Sequence, residues 1–411
     1  MSNEQFFKDA LPKIDVFKIR ASAGKLGRDN VDEFLYRKYY MWQEKNSAFG
    51  MDPTAANTLY NGNSYPNPDL TWEKTNTFNV GFDLTAWNGL LGAEFDVFYK
   101  YTYDILQGIS ASYPPSLGGH VPTTDNSGRF DAKGFELVLR HTNRINDFSY
   151  NISGNVSFTR NRILSKTESS NVLPWQSVIG TSMGAILGYE AIGLIQTEEQ
   201  LANAPTPISG SRELRLGDIL YRDLNGDGKI TTDDATWISN SNIPEMMFAL
   251  NFDANYKGFD LSLQFQGAAL NDKMLCGTWN NGASDNTPLT KPFYGNYDNA
   301  PVYLVEGSWT PDNTDAEYPR LSVIGNPNNS IVSTFWKRNG AYLRLKNITL
   351  GYTIPKHIIN KAGLQNLRVY IAGSNLFTIT DFKYLDPESP NVVQGYYPQQ
   401  KTMSFGVDIS F

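Results

Sequence analysis

The sequence predicts an all-β protein whose strands build a transmembrane antiparallel β-barrel, and three observations carry that expectation. Apolar and polar residues alternate with period two in one run after another, while helical periodicity is almost absent. Short polar turns join the runs at one end and long segments join them at the other, the asymmetry of an outer-membrane barrel. The polar positions favour Ser, Asn, Thr and Gly, which suit a wet but enclosed lumen better than bulk water.

The runs justify this reading in chain order. In "LGAEFDVFYKYT", Leu91, Ala93, Phe95, Val97, Tyr99 and Tyr101 share one face. Gly92, Glu94, Asp96 and Lys100 hold the other face, with Phe98 as its exception. "FSYNISGNVSFTRN" sets Phe148, Tyr150, Ile152, Val156 and Phe158 against Ser149, Asn151, Ser153, Asn155, Ser157 and Thr159. Phe259, Leu261, Leu263 and Phe265 repeat the pattern, as do Leu367, Val369 and Ile371. In the final run, "KTMSFGVDISF", Met403, Phe405, Val407, Ile409 and Phe411 alternate with small or polar residues. A last strand ending on an aromatic residue is expected of a barrel that closes on its C-terminal strand. About a dozen such runs occur, many near the ~9–11 residues of a tilted membrane strand. "WNGL" (87–90), "NRINDF" (143–148), "YKGF" (256–259) and "KAGLQNL" (361–367) read as tight turns. Segments rich in Asn, Gly, Pro and Tyr, near 28–68, 104–128, 165–245, 268–330 and 380–400, read as the long connections.

Composition agrees and narrows the function. Lys and Arg number 35 against 42 Asp and Glu, so a general phosphate-binding surface, and with it a nucleic-acid partner, is not expected. Charged residues reach only 19%, below the roughly 25% of soluble domains. The single cysteine, Cys276, excludes an internal disulfide framework. No run approaches the ~18 apolar residues of a membrane helix. The start, "MSNEQFFKDALPKID", has no signal-peptide character and taken alone would suggest the cytoplasm, against the strand pattern. No nucleophile elbow, H-E-x-x-H or P-loop occurs, and His120, His141 and His357 stand apart, so no enzyme and no histidine metal site is expected.

Four stretches together resemble the SusC/RagA-type TonB-dependent transporters. They are "NPDLTWEKTNTFNVGFDLTAWNGLLGAEFDVFYKYTYDIL" (67–106), "GFELVLRHTNRINDFSYNISGNVSFTRNRIL" (134–164), "GDILYRDLNGDGKITTDDATWISN" (217–240) and "YLRLKNITLGYTIPKHIINKAGLQNLRVYIAGSNLFTITDFKYLDPE" (342–388). "FKIRASAGKLGRDN" (17–30) fits as a strand, with Gly24 to Asn30 expected as a small loop insertion. The resemblance implies a 22-stranded plugged barrel. It makes residues 1–411 the C-terminal part of the transmembrane β-barrel domain, with plug and signal peptide outside the chain. It implies TonB-dependent import of oligosaccharides across a bacterial outer membrane beside a SusD-like surface lipoprotein, with TonB acting through the plug. Oligopeptide import of RagA type stays open. So do a non-transporting surface protein, a carbohydrate-binding β protein and a fragment without function.

One stretch carries chemistry of its own. In "DLNGDGKITTDD", Asp223, Asn225 and Asp227 occupy positions one, three and five of a twelve-residue calcium loop. Gly228 allows the turn, Lys229 offers a carbonyl, Ile230 anchors, Thr231 acts through water, and Asp234 closes the loop. Oxygens on alternate residues of a tight turn converge on one hard cation. Asp in place of the usual closing Glu predicts weak, structural calcium, near ~10⁻⁴–10⁻³ M. A calcium switch needs flanking helices, which "GDILYR" and the stretch around Pro244 do not offer. Trp175, Trp279, Tyr294, Tyr297, Trp309, Tyr396 and Tyr397 fall in long segments among amides, as candidate substrate-binding rings for sugars or peptides. The same rings could instead pack the loops together or hold a lid protein. Trp87 and Trp336, near strand ends, read as membrane-interface residues.

Overall fold

The computed structural model describes residues 4–29, 31, 33–38, 40–47, 56–61, 66–109, 116, 124–275, 302–323, 326–360, 363–383, 385–389 and 399–411. After a short helix, Gln5–Ala10, come strands β1 (Ile14–Arg28), β2 (Tyr40–Ser47), β3 (Ala56–Asn61), β4 (Glu73–Ala86), β5 (Leu91–Gly108), β6 (Thr124–Ile145) and β7 (Phe148–Ser165). Four short strands follow: β8 (Ile186–Gly188), β9 (Ala191–Leu194), β10 (Ile219–Tyr221) and β11 (Thr236–Ser239). Then come β12 (Met246–Tyr256), β13 (Phe259–Ala269), β14 (Asp272–Met274), β15 (Lys337–Asn339) and β16 (Tyr342–Thr353). The series ends with β17 (Asn366–Ser374), β18 (Thr378–Thr380) and β19 (Thr402–Ser410).

Ten long strands form one antiparallel wall in the order β1-β4-β5-β6-β7-β12-β13-β16-β17-β19, with β18 added on β16. Its edges, β1 and β19, are not paired with each other among the described residues. Cross-strand partners share a face, so the register reads as rows across the wall. One row is Ile19–Phe82–Phe95–Leu137–Val156–Phe248, and another is Ala254–Leu261–Leu350–Ile371–Phe405. No residue of these rows is buried, and several are open: Ile19 is 58% exposed, Ile371 55% and Phe405 73%. Exposure of whole apolar rows is the arrangement a lipid bilayer requires and a soluble sandwich forbids. A ladder of rings, Phe7–Phe17–Phe82–Phe95–Phe135–Phe158, crosses the same face at centroid spacings of 5.8–6.3 Å. Near the short turns, Phe148 packs against Tyr150 and Tyr256, and Phe259 against Tyr352, two groups of rings at the level of an aromatic belt.

The opposite face holds ion pairs among its Ser and Asn residues. Arg20 reaches Asp83 and Asp96, Arg140 reaches Glu94, and Arg368 joins Asp260 to Asp408. Each pair crosses strands, which ties register to charge as well as to hydrophobicity. One boundary differs from expectation. Gly24 to Arg28 form no loop: β1 stays paired with β4 through Gly24↔Thr77 to Arg28↔Glu73.

The buried apolar core lies away from the wall. Described parts of the long segments, from Ile186 to Leu275, Val302 to Asn339 and around Phe382, fold into a body at the end opposite the short turns, which makes it the exterior end. Ile219, Tyr221, Ile230, Leu275, Leu304, Tyr318, Ile331, Trp336 and Phe382 form its core. Small sheets β8–β11, β9–β10 and β14–β15 frame it.

Candidate functional site

The loop at 223–234 is built into this body. Its flanks are β10 and a single 3-10 turn, Thr232–Asp234, followed by β11; neither is a helix pair. Ile230, 3% exposed, anchors in the core, and its N–H donates to the Thr206 carbonyl (2.8 Å). The side-chain oxygens turn inward on the loop's own amides. Gly226 and Gly228 N–H donate to the two Asp223 carboxylate oxygens (both 2.7 Å), Asp227 N–H to Asn225 Oδ1 (2.9 Å) and Lys229 N–H to Asp227 Oδ1 (2.8 Å). Asp234 closes the ring, accepting from Leu224 and Thr231 N–H (both 2.8 Å). Gly228 sits at φ 79°, a left-handed conformation that a side chain would strain. The Gly228 amide above all, then those of Gly226 and Asp227 with Asp234, outweigh burial and hold the Asp223 carboxyl below its ordinary value. Each carboxylate oxygen that accepts one N–H keeps a lone pair, so the donor set fits a hard cation. In this arrangement no three His, Cys, Asp or Glu side chains gather as a metal group among the described residues.

Of the candidate rings, two are described. Trp175 is half-buried, and its indole N–H donates to the Asp233 carbonyl (2.8 Å), so it packs against the calcium-type loop. Trp309 is 9% exposed, donates to Gln196 Oε1 (3.0 Å) and lies on Gly217, whose φ of 82° and missing Cβ leave room for the indole. Both rings join loops. Trp279, Tyr294, Tyr297, Tyr396 and Tyr397, with Cys276 and His120, lie outside the described residues. Trp87 is exposed in the β4–β5 turn, as an interface residue should be. Trp336 is not at the interface. It is fully buried in the loop core, where its N–H donates to the Asn329 carbonyl (3.1 Å), because the body's packing and not the wall's end surrounds it.

A cavity of about 300 Å³ opens beside that core. Tyr303, Tyr318, Trp336 and Phe382 supply its rings, and Glu317 and Arg338 are among its charged residues. Sequence reasoning misplaced Trp336 and missed the other lining residues, as it missed two polar clusters. In one, Asp218 is fully buried and accepts from Arg320 Nε (2.7 Å), Asn329 Nδ2 (2.8 Å) and Arg215 N–H (2.9 Å). In the other, Arg344, 4% exposed, donates from Nε to Thr378 Oγ1 (2.8 Å) and from Nη2 to Asp386 Oδ1 (2.7 Å). Its Nη1 lies 2.9 Å from Glu388 Oε1 without hydrogen-bond alignment, and Lys346 reaches the same carboxylate (3.1 Å). Burial pushes the Asp386 carboxyl up, but the Arg344 bond and the Gln399 and Glu388 amides outweigh it and leave it below its usual value. Segment 385–389 is thereby pinned to β16.

An exposed apolar wall, an ion-paired inner face and a folded exterior body describe an outer-membrane barrel wall. The family model described as TonB dependent receptor-like, beta-barrel matches residues 13–376. The chain belongs to this family. Within it the SusC/RagA type read from the sequence holds. TonB-dependent receptor P26 of Formosa agariphila is 28% identical over all of this chain and 41% of its own length. TonB-dependent receptor SusC of Bacteroides thetaiotaomicron is 25% identical over all of this chain and 39% of its own. The solved RagAB peptide transporter shares the fold, with a TM-score of 0.66 at 23% identity over 97% of this chain and 41% of that one. The chain thus spans about two fifths of these relatives' length. As an outer-membrane member of the TonB-dependent receptor barrels, it crosses the membrane with strands; among the described residues no helix is long and apolar enough to do so.

Proposed function

We propose that this chain forms part of an importer that carries oligosaccharides across the outer membrane, energised through TonB and lidded by a SusD-like surface lipoprotein. The observation that carries the reading is the cavity in a folded body at the exterior end of the wall, where the half-buried Tyr303 offers a ring beside the charged Glu317, Arg338, Asp381 and Lys383, a combination that suits sugar rings. In the whole protein, strands pairing with edges β1 and β19 would complete the wall in the 22-stranded plugged arrangement that the resemblance implies. The role is transport and not catalysis. The test is calorimetric titration of the full-length protein with a panel of oligosaccharides and oligopeptides. Oligosaccharides should bind, and Tyr303→Ala should weaken them roughly ten-fold, the scale of one lost ring contact. Binding of oligopeptides alone would replace the cargo with that of a RagA-type importer, and an inert Tyr303→Ala would remove the cavity from the argument.

We also propose that Asp223, Asn225, Asp227, Asp234, the Lys229 carbonyl and Thr231 hold a structural calcium ion. Calcium at ten to a hundred times its dissociation constant should stabilise the exterior body by about 1–3 kcal/mol. Melting in calcium against chelator reads this directly. Asp223→Ala should abolish the difference, and a wild-type protein that melts identically in both would end the proposal.

A further inference from the structure

The outward face of the wall changes character abruptly at its exterior end. On β6, alternate residues rising from the short turns are Leu139, Leu137 and Phe135, then Lys133, Asp131 and Arg129. On β7 they are Ile152, Val156 and Phe158, then Arg160 and Arg162. The register sets Phe135 beside Phe158, Lys133 beside Arg160 and Asp131 beside Arg162, so the step falls at one height on both strands. On β5 the same rows carry Tyr99 opposite Lys133 and Tyr101 opposite Asp131. Tyr101 stacks on Tyr103 at 5.5 Å, with Lys25 over that second ring at 5.7 Å.

Not all of these cations are neutralised. Arg160 is held by Glu245 (2.6 Å) and Lys74 by Asp104 (2.7 Å). Arg129, Lys133 and Arg162 are exposed and make no ion pair among the described residues, although Asp131 stands between them. A cavity of about 260 Å³ opens at Arg162, lined also by Arg160, Ser182, Trp237, Ser239 and Asn240. Glu245 also lines it, but its carboxylate is engaged by Arg160. The Ser239 hydroxyl there is 5% exposed at the residue level and has no hydrogen-bond partner.

Cations directly above lipid-facing phenylalanines are costly beside hydrocarbon and favourable beside anionic headgroups. The rows below them are the bilayer interface itself, so whatever meets the cations is continuous with the outer leaflet. We propose that this rim docks the phosphate-bearing headgroup of an outer-leaflet glycolipid. Arg162, Lys133 and Arg129 take the phosphates, the cavity beside Ser239 takes a headgroup oxygen, and Tyr99, Tyr101 and Tyr103 lie along the lipid. The inference rests on the outer-membrane location and is independent of the cargo.

The test is native mass spectrometry of the full-length protein in mild detergent, titrated with bisphosphorylated lipid A and with the same glycolipid stripped of phosphate. Lys133→Gln with Arg162→Gln should lower affinity for the phosphorylated form roughly five-fold for each cation removed. Arg144→Gln with Lys257→Gln, at the short-turn end, should leave it unchanged. Heat-modifiable gel mobility checks that each variant is folded. Should the double variant fail to insert, the wild-type salt dependence decides: binding should weaken as salt rises. Equal affinity for the two lipids, an unchanged double variant, or salt-independent binding would each overturn the proposal.

Discussion

Trp336→Ala should open the exterior body while leaving the wall intact. The indole is fully buried, stacks on Tyr318 at 6.2 Å and meets Phe335 edge-on at 5.2 Å. Its backbone carbonyl also accepts from Leu275 N–H (2.9 Å), so two distant segments meet on it. Truncating a buried Trp to Ala costs about 3–5 kcal/mol through lost transfer energy and the cavity left behind. That is a large fraction of what holds any small body together. Trp336→Phe keeps most of the volume and loses mainly the bond to the Asn329 carbonyl, at about 1 kcal/mol. Limited proteolysis should therefore cut Trp336→Ala fast and Trp336→Phe only modestly faster than wild type. Heat-modifiable mobility, which reports the wall, should be the same in all three. A Trp336→Ala protein as resistant as wild type would mean that the loop core does not depend on this ring.

The contrast between Trp336 and Phe405 explains what could be read from the sequence. Phe405 belongs to an alternation whose partners lie two residues away, so its face follows from local spacing alone. The runs at 91–101, 148–159, 259–265, 367–371 and 402–410 all fall within strands of the wall. The turns at 87–90, 143–148 and 256–259 join paired strands as their polar residues imply, whereas β5 and β6 run to Gly108 and from Thr124, into the stretch read as the connection 104–128. Trp336 has no such signal. It sits six residues before the wall strand β16, where an aromatic usually means a membrane interface, and its contacts with Tyr318, Leu275 and Asn329 reveal that it is a core residue.

The same limit applies to the exterior body as a whole. Its strands β8, β9, β10 and β11 are three or four residues long, too short for period two to show. The twelve-residue loop shows as a motif because its acceptors are spaced by its own turn; in the structure those acceptors take the loop's own amides, and Ile230 lies in the core of the exterior body. The Arg344 cluster was not legible, because Asp386 and Glu388 come to it from 42 and 44 residues away in sequence, by subtraction of the residue numbers. Gly24 to Arg28 misled for the opposite reason: two glycines suggested a loop, but pairing with β4 held the segment in strand.

Arg320→Leu should destabilise the exterior body by about 3–5 kcal/mol, the cost of breaking a buried ion pair by removing one partner. Asp218 lies just before β10 with no exposed surface, and Arg320 Nε at 2.7 Å is its only charged contact among the described residues. The remaining donors, Asn329 Nδ2 and Arg215 N–H, are neutral and cannot balance the carboxylate. The damage should spread, because Asn329 Oδ1 also accepts from Ile219 N–H (3.0 Å) and Asn328 bonds the Ile219 carbonyl (2.8 Å). These bonds hold β10 against segment 326–331, next to the calcium-type loop. Adding Asp218→Asn to Arg320→Leu should recover part of the loss, since no charge is then stranded. Recovery should be incomplete, because an amide cannot accept from both Asn329 Nδ2 and Arg215 N–H as two carboxylate oxygens do. Melting and proteolysis of the two variants read both steps. If Arg320→Leu melts with wild type, the pair is a surface convenience and the buried carboxylate is held by its neutral donors alone; if the double variant is worse than the single, the loss lies in geometry and not in charge.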